Sequence, residues 1–351
     1  MFHAAFRVDG SRLIGVGHIM RCLTLADMLS KQGVEIHFVC NGDLPLQTQQ
    51  MITSSGYHLL LSPSEQSGEI DCTEDAYHFL RLISPYSITV IIVDHYGLDA
   101  KWERLVRPHT ERIVVIDDLA NRVHDCDILL DQNLYANLEE RYKGLVPLNC
   151  ELLLGPSNIL LRQEFLEYKE ELYIRTLCRN VLINFGGSDP TGEILKVLKS
   201  IHDKVLFADI TFHVIAGPAN SRSPQIEQYC SNMPNVVYYE QYKNMAEMLS
   251  GIDLVIGAGG ISLWERCYMG VPSIVISVAD NQVETVRAAE SHALCWYLGL
   301  SKEVTEEDIY NLLKDIIARP DLLRHSSETI SAYMAPLRNT CEHPIITHIT
   351  S

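Results

Sequence analysis

DLVIGAGGISLWERC, residues 253–267, decides how the chain is read. It opens with a short apolar run and continues into helical sequence, and Gly257, Gly259 and Gly260 join the two. A buried strand that turns tightly into a helix is the repeating unit of a parallel sheet covered by helices. The same strand-to-helix device stands at NVLINFGGSDP, residues 180–190. Around them lie three further strand-like runs, DITFHVIAG (209–217), NVVYY (235–239) and VPSIVIS (271–277), each followed by helical sequence.

The first half repeats the alternation with FHAAF (2–6), VEIHFVC (34–40), ITVIIVD (88–94), RIVVIDD (112–118) and DILLD (127–131). Between the first two, Ile19, Cys22, Leu23, Ala26 and Leu29 recur at helical steps, and Gly33 ends the helix. A chain of 351 residues has the length of two domains. The Gly-Pro break in LLLGPSNILLRQEF (152–165) divides them, giving an N-terminal domain at 1–155 and a C-terminal domain at 156–351. Two helical segments separated by Arg319-Pro320 follow Thr305, and the ending HPIITHITS, without cap or period, is expected to fray.

Composition excludes several classes. With 28 Lys+Arg against 45 Asp+Glu the net charge is −17, which disfavours nucleic acid and anionic lipid as partners. No segment reads as a membrane span or a leader, and ten scattered cysteines with no C-x-x-C pair read as reduced thiols of a cytoplasmic protein. No cofactor and no metal are signalled; HDCD (124–127) reproduces no zinc-ligand spacing.

Ligands of doubly wound domains sit at the C-terminal ends of the strands, and paired domains of this kind are expected to hold them in the cleft between the two. The turn at Gly259 and Gly260 with Ser262 behind it offers a helix N-terminus to a phosphate. Glu265 is placed to reach back toward a ribose diol, or else is a solvated helix-face residue. In GGSDP (186–190), Ser188 or Asp189 as N-cap with Pro190 at the first helical position explains the loop. In ADNQVE (279–284), Asp280 serves as cap, leaving the amide of Asn281 available. VDHYG (93–97) gathers Asp94, His95 and Tyr96 after a buried strand. His18 begins an amphipathic helix whose positive end disfavours the imidazolium, and Gly15 and Gly17 suit a loop pressed close to a ligand. A neutral imidazole can serve as base; capping or packing is the plainer alternative.

Together the segments FRVDGSRLIGVGHIMRCLTLADML, VDHYGLDAKWE, VVIDDLANRVHDCDILLDQN, LLGPSNILLRQEF, FGGSDPTG and GAGGISLWERCYMGVPSIVISVADNQ resemble a family. It is that of the hydrolases of UDP-2,4-diacetamido-2,4,6-trideoxy-β-L-altropyranose in pseudaminic acid biosynthesis. The resemblance implies the glycosyltransferase-B architecture, two Rossmann-like domains facing across a cleft, with UDP held mainly by the second. It implies His18 as general base, Tyr96 and Asn281 at the sugar, and Arg162 and Glu265 as substrate or UDP contacts. Two departures stand out: Ile261 where a small hydroxyl residue is expected, and Asn158 in place of a tyrosine.

The expected reaction is attack at C1 by water that His18 deprotonates, with UDP leaving and the anomeric centre inverting. Asp94 or Asp9 is a candidate to orient the imidazole. An inverting UDP-sugar glycosyltransferase and a nucleotide-sugar binding protein without turnover are the alternatives. Oligomeric state is not read from the sequence.

Overall fold

The computed structural model describes residues 2–10, 17–63, 71–168, 170–340 and 342–350. It divides into two compact units, one of residues 1–133, 137–162 and 340–351, the other of 134–136 and 163–339.

The first unit is built on seven parallel strands, β1 (His3–Val8), β2 (Glu35–Asn41), β3 (His58–Ser62), β4 (Val90–Asp94), β5 (Arg112–Ile116), β6 (Ile128–Asp131) and β7 (Glu151–Leu154), in the order β3-β2-β1-β4-β5-β6-β7. Helices α1 (Gly17–Lys31), α2 (Leu46–Ser54), α3 (Cys72–Ile83) and α4 (Ala100–Val106) connect them. Alternation within β1 feeds two cores: Ala4, Phe6 and Val8 pack with Ile19, Cys22 and Leu29 of α1, while Ala5 joins Phe79 of α3 and Trp102 of α4 on the other face.

The second unit has six parallel strands, β8 (Asn180–Asn184), β9 (Thr211–Ile215), β10 (Val236–Tyr239), β11 (Leu254–Ala258), β12 (Ser273–Ser277) and β13 (Trp296–Leu300), ordered β10-β9-β8-β11-β12-β13. The short α5 (Gln163–Leu166) precedes them; α6 (Glu193–Ile201), α7 (Ser223–Cys230), α8 (Met245–Ser250), α9 (Ile261–Tyr268) and α10 (Val283–Ser291) alternate with the strands. Helices α11 (Glu306–Ala318) and α12 (Pro320–Arg338) follow, broken at Arg319-Pro320.

Two expectations are corrected. The passage between units falls after Arg162, because Leu152–Leu154 of the Gly-Pro segment still pair with β6. The ending does not fray: residues 340–351 return to the first unit, where α13 (Pro344–Thr350) buries Ile345, Ile346 and Ile349 in the core beside α1. Isoleucines at spacings of one, three and four residues make one apolar face even on a seven-residue helix. Arg112 bonds the carbonyls of His348 and Ile349, satisfying the helix end. Among the described residues no helix is long and apolar enough to cross a membrane.

Candidate functional site

The first unit reverses its strand order between β1 and β4, whose C-terminal residues Val8 and Asp94 are register partners. Of the described residues that follow these strands, Asp9 after β1 and His95 after β4 meet at that end of the sheet, the end where doubly wound domains hold ligands. His18, the second residue of α1, reaches it with its ring largely buried. Its Nδ1 lies 2.5 Å from Asp94 Oδ1. Arg21, one turn further along α1, grips the same carboxylate through Nε and Nη2 at 2.5 and 2.6 Å. Burial alone would raise the Asp94 pKa, but the charge of Arg21 and the hydrogen bonds from Arg21 and His18 hold its carboxyl well below the usual range. Arg21 Nη2 also lies 3.0 Å from Nδ1; in the tautomer with its hydrogen on Nδ1, an ionised Asp94 accepts that hydrogen and the Nε2 lone pair is left for a proton.

Tyr96 stands edge-on to His18, ring centroids 4.6 Å apart, and its hydroxyl bonds to Asp118. Burial first, and then the charge of Asp118, push the Tyr96 phenol above its ordinary pKa, so it remains a donor. Arg21 Nη1 closes the ring of contacts on Asp118 at 3.0 Å.

A second polar layer sits beside the first. Arg7 bonds Asp75 through Nε and Nη2 and Asp9 through Nη1, and the Trp102 indole also donates to Asp75. Asp9 takes His95 Nε2 at 3.2 Å, and His95 Nδ1 accepts from Gly97 N. Of the two carboxylates considered for orienting His18, Asp94 does so and Asp9 holds His95 instead.

The second unit reverses order between β8 and β11. The chain leaves β11 at Ala258 and enters α9 at Ile261. A Cβ on Gly259 would stand 2.2 Å from Val286 Cγ2, so only glycine fits between β11 and α10. Gly260 is the N-cap of α9 and brings no side chain to its first N–H groups. Ser262 Oγ accepts from Arg266 Nη1 at 3.1 Å, so its own hydrogen can still point outward. Arg266 is buried beneath this turn, bonded also to Ser273 Oγ and the Ala258 carbonyl. Burial lowers its pKa to about 10, which keeps it cationic at neutral pH. Helix dipole, uncapped N–H groups and a buried guanidinium converge on one turn, an arrangement suited to an anion.

Glu265 is buried on α9, and Asn281 is exposed on a 3-10 turn over Asp280–Gln282. Asp280 caps nothing there; Ala279 holds the cap position, and the turn is organised by Gln282, whose Oε1 accepts from Val278 N. The Gln282 amide nitrogen lies 3.7 Å from where a Cβ of Gly260 would be, next to the anion turn. Asp189 accepts from the N–H groups of Glu193 and Ile194, as capping predicts, but α6 begins at Glu193, so Pro190 lies before the helix.

Gly17 opens α1 with no atom within 4 Å of a would-be Cβ, while Gly15 lies outside the described residues. Arg162 is half-buried at the end of the 137–162 segment of the first unit. Asn158 donates to the Leu154 carbonyl at 2.8 Å and so closes its own turn. Arg21, Asp118, Arg266 and Gln282 were not singled out from the sequence. Arg21 had the clearest signal, three residues after His18 and hence on the same helix face.

Two parallel sheets of these orders define the glycosyltransferase-B fold. The chain superposes on MurG of Acinetobacter baumannii with a TM-score of 0.65 at 12% identity, covering 99% of this chain and 98% of that one. It superposes on the calicheamicin glycosyltransferase CalG4 with a TM-score of 0.57 at 13% identity, covering 95% and 94%. Residues 181–335 match the glycosyltransferase family 28 C-terminal domain.

In sequence the chain is a relative of the UDP-2,4-diacetamido-2,4,6-trideoxy-β-L-altropyranose hydrolase of Campylobacter jejuni, 28% identical over 80% of this chain and 93% of that protein. It is 26% identical to the spore coat polysaccharide biosynthesis protein SpsG of Bacillus subtilis over 90% of this chain and 89% of that protein. A Helicobacter pylori protein that joins pseudaminic acid cytidylyltransferase to the same hydrolase is 22% identical over 85% of this chain and 48% of its own length.

Proposed function

We propose that the chain hydrolyses a UDP-sugar, releasing UDP and the free sugar, and that its substrate is UDP-2,4-diacetamido-2,4,6-trideoxy-β-L-altropyranose. The observation that carries this reading is the His18–Asp94 pair, with Nδ1 2.5 Å from the carboxylate, which favours the tautomer with its hydrogen on Nδ1. In that tautomer Nε2 takes a proton from water, the water oxygen bonds to C1, and the C1–O bond to UDP breaks with its electron pair leaving on the diphosphate. One base on one face gives a single displacement and inversion.

The diphosphate is assigned to Gly259, Gly260 and Ser262, where the start of α9 and Arg266 share its charge, so departure needs neither a general acid nor a metal. Tyr96, Gly17 and Asn281 are assigned to the sugar, Glu265 to the ribose, Arg162 to substrate contact, and Asp94 to positioning. All nine described cysteines are free, which suits the reducing cytoplasm.

Hydrolysis in water enriched in oxygen-18 tests the reaction. The label is expected on the sugar C1 hydroxyl, and label in the UDP phosphate would sink attack at C1. The fold of the solved glycosyltransferases favours one rival, sugar transfer to an acceptor hydroxyl at the same base. UDP release without any acceptor separates the two.

A further inference from the structure

The opposite end of the first sheet carries a group of side chains that the proposed reaction does not use. His3 opens β1, Glu35 opens β2, and His58 opens β3; His37 lies two residues into β2. Register places His3 opposite Glu35 and His37 opposite His58. Strand alternation puts all four on the face of the sheet that carries α3 and α4. Three strand starts thus contribute three imidazoles and one carboxylate to a single spot, at the far end of β1 from the His18 crevice.

The separations approach those of a coordination shell, with Glu35 turning a different oxygen to each of the two imidazoles. His3 Nδ1 is 3.3 Å from His37 Nε2 and 3.7 Å from Glu35 Oε2, and His37 Nε2 is 3.6 Å from Glu35 Oε1. A tetrahedral ion with bonds of about 2.0–2.2 Å sets its ligand atoms about 3.3–3.6 Å apart, the tetrahedron edge being about 1.63 bond lengths. His58 Nε2 stands 3.3 Å from Glu35 Oε1 with its ring half-exposed, beside the remaining position.

Two observations make this more than a surface cluster. First, His37 is fully buried, with Tyr86 packed on its ring at 4.1 Å, and its Nε2 is turned toward both His3 and Glu35. Second, two neutral imidazoles facing each other nitrogen to nitrogen share at most one proton, whereas a cation between them engages both lone pairs.

We infer that His3, Glu35 and His37 form a binding site for zinc, with His58 or water completing four ligands, and that the ion clips β1 to β2. Imidazole-rich sites with one carboxylate suit zinc over magnesium or calcium. The inference is independent of the proposed reaction.

The test uses untagged full-length protein, stripped with chelator and titrated with zinc chloride by calorimetry in parallel with His3→Ala and Glu35→Gln. Wild type is expected to bind one equivalent that each variant binds at least tenfold more weakly. Zinc is expected to raise the thermal midpoint of wild type by several degrees and that of the variants by less. Cobalt chloride is expected to give the intense visible absorption of a four-coordinate ion in wild type alone. Neither side chain is fully buried, so both variants are expected to fold, which their cooperative thermal unfolding without zinc checks. Equal zinc affinity in wild type and variants would place the metal on thiols or other histidines and overturn the site, as would the absence of any binding.

Discussion

At the residue scale the site turns on how a carboxylate is divided. Asp94 serves His18 through Oδ1 and Arg21 through both oxygens, so its charge is balanced while the imidazole is held in one tautomer. His18→Ala is expected to lower turnover by roughly two to four orders of magnitude while UDP binding by calorimetry stays within about twofold. Unchanged turnover would return His18 to a packing role. Asp94→Asn is expected to be nearly as damaging to kcat, because the amide presents a donor to Nδ1 and forces the other tautomer; a fall of about 10²–10⁴ with little change in KM is the signature. A rise in KM alone would make Asp94 a binding residue. His18 and Tyr96 were legible in the sequence because each follows a recognisable element, a glycine-flanked helix start and a buried strand. Asp118 was not, because its role depends on β5 lying beside β4, which no local pattern states.

At the element scale, the strands that local pattern left unmarked are β3, β7 and β13, three of the four edge strands; the fourth, β10, is marked by the branched and aromatic run NVVYY. An edge strand buries one side and part of its rim, so HLLLS, ELLL and WYLGL lack the long branched run that marks ITVIIVD. The ending was misread for a related reason: three buried isoleucines in seven residues are too few for a periodic signal, yet enough to anchor α13. Ile346→Ala is expected to destabilise the first unit by about 2–5 kcal/mol, measured by urea unfolding. A cost within about 0.5 kcal/mol would mean that α13 is not docked in solution.

The same helix brings an acid sensitivity. His343 accepts from Ile345 N through Nδ1 at the start of α13, and burial lowers its pKa to about 4. The unfolded chain takes up that proton near pH ~6.5, so between pH ~6.5 and about 4 the unfolded state holds more protons and stability falls with pH. In His343→Gln the decline of unfolding free energy over this window is expected to be shallower than in wild type; an identical slope would clear His343 of the effect.

At the scale of the whole molecule, the chain makes its second unit from one nearly continuous stretch and its first from two ends. Residues 163–339 hold all six strands of their sheet, the family 28 match and the anion turn, whereas residues 1–162 lack the isoleucines that 340–351 supply. The two-domain reading followed from length and from a repeated strand-to-helix device, but a tail that crosses back is a tertiary fact that sequence spacing does not contain. This asymmetry makes the proposed division of labour testable by dissection. A fragment of residues 163–339 is expected to unfold cooperatively and to bind UDP within about tenfold of the full chain, because the α9 turn, Arg266 and Gln282 all lie inside it. Residues 1–162 alone are expected to be marginal, and to gain cooperative unfolding when a peptide of residues 340–351 is added or fused behind a short linker. UDP bound by the fused first unit, and ignored by 163–339, would reverse the assignment of nucleotide and base to the two units.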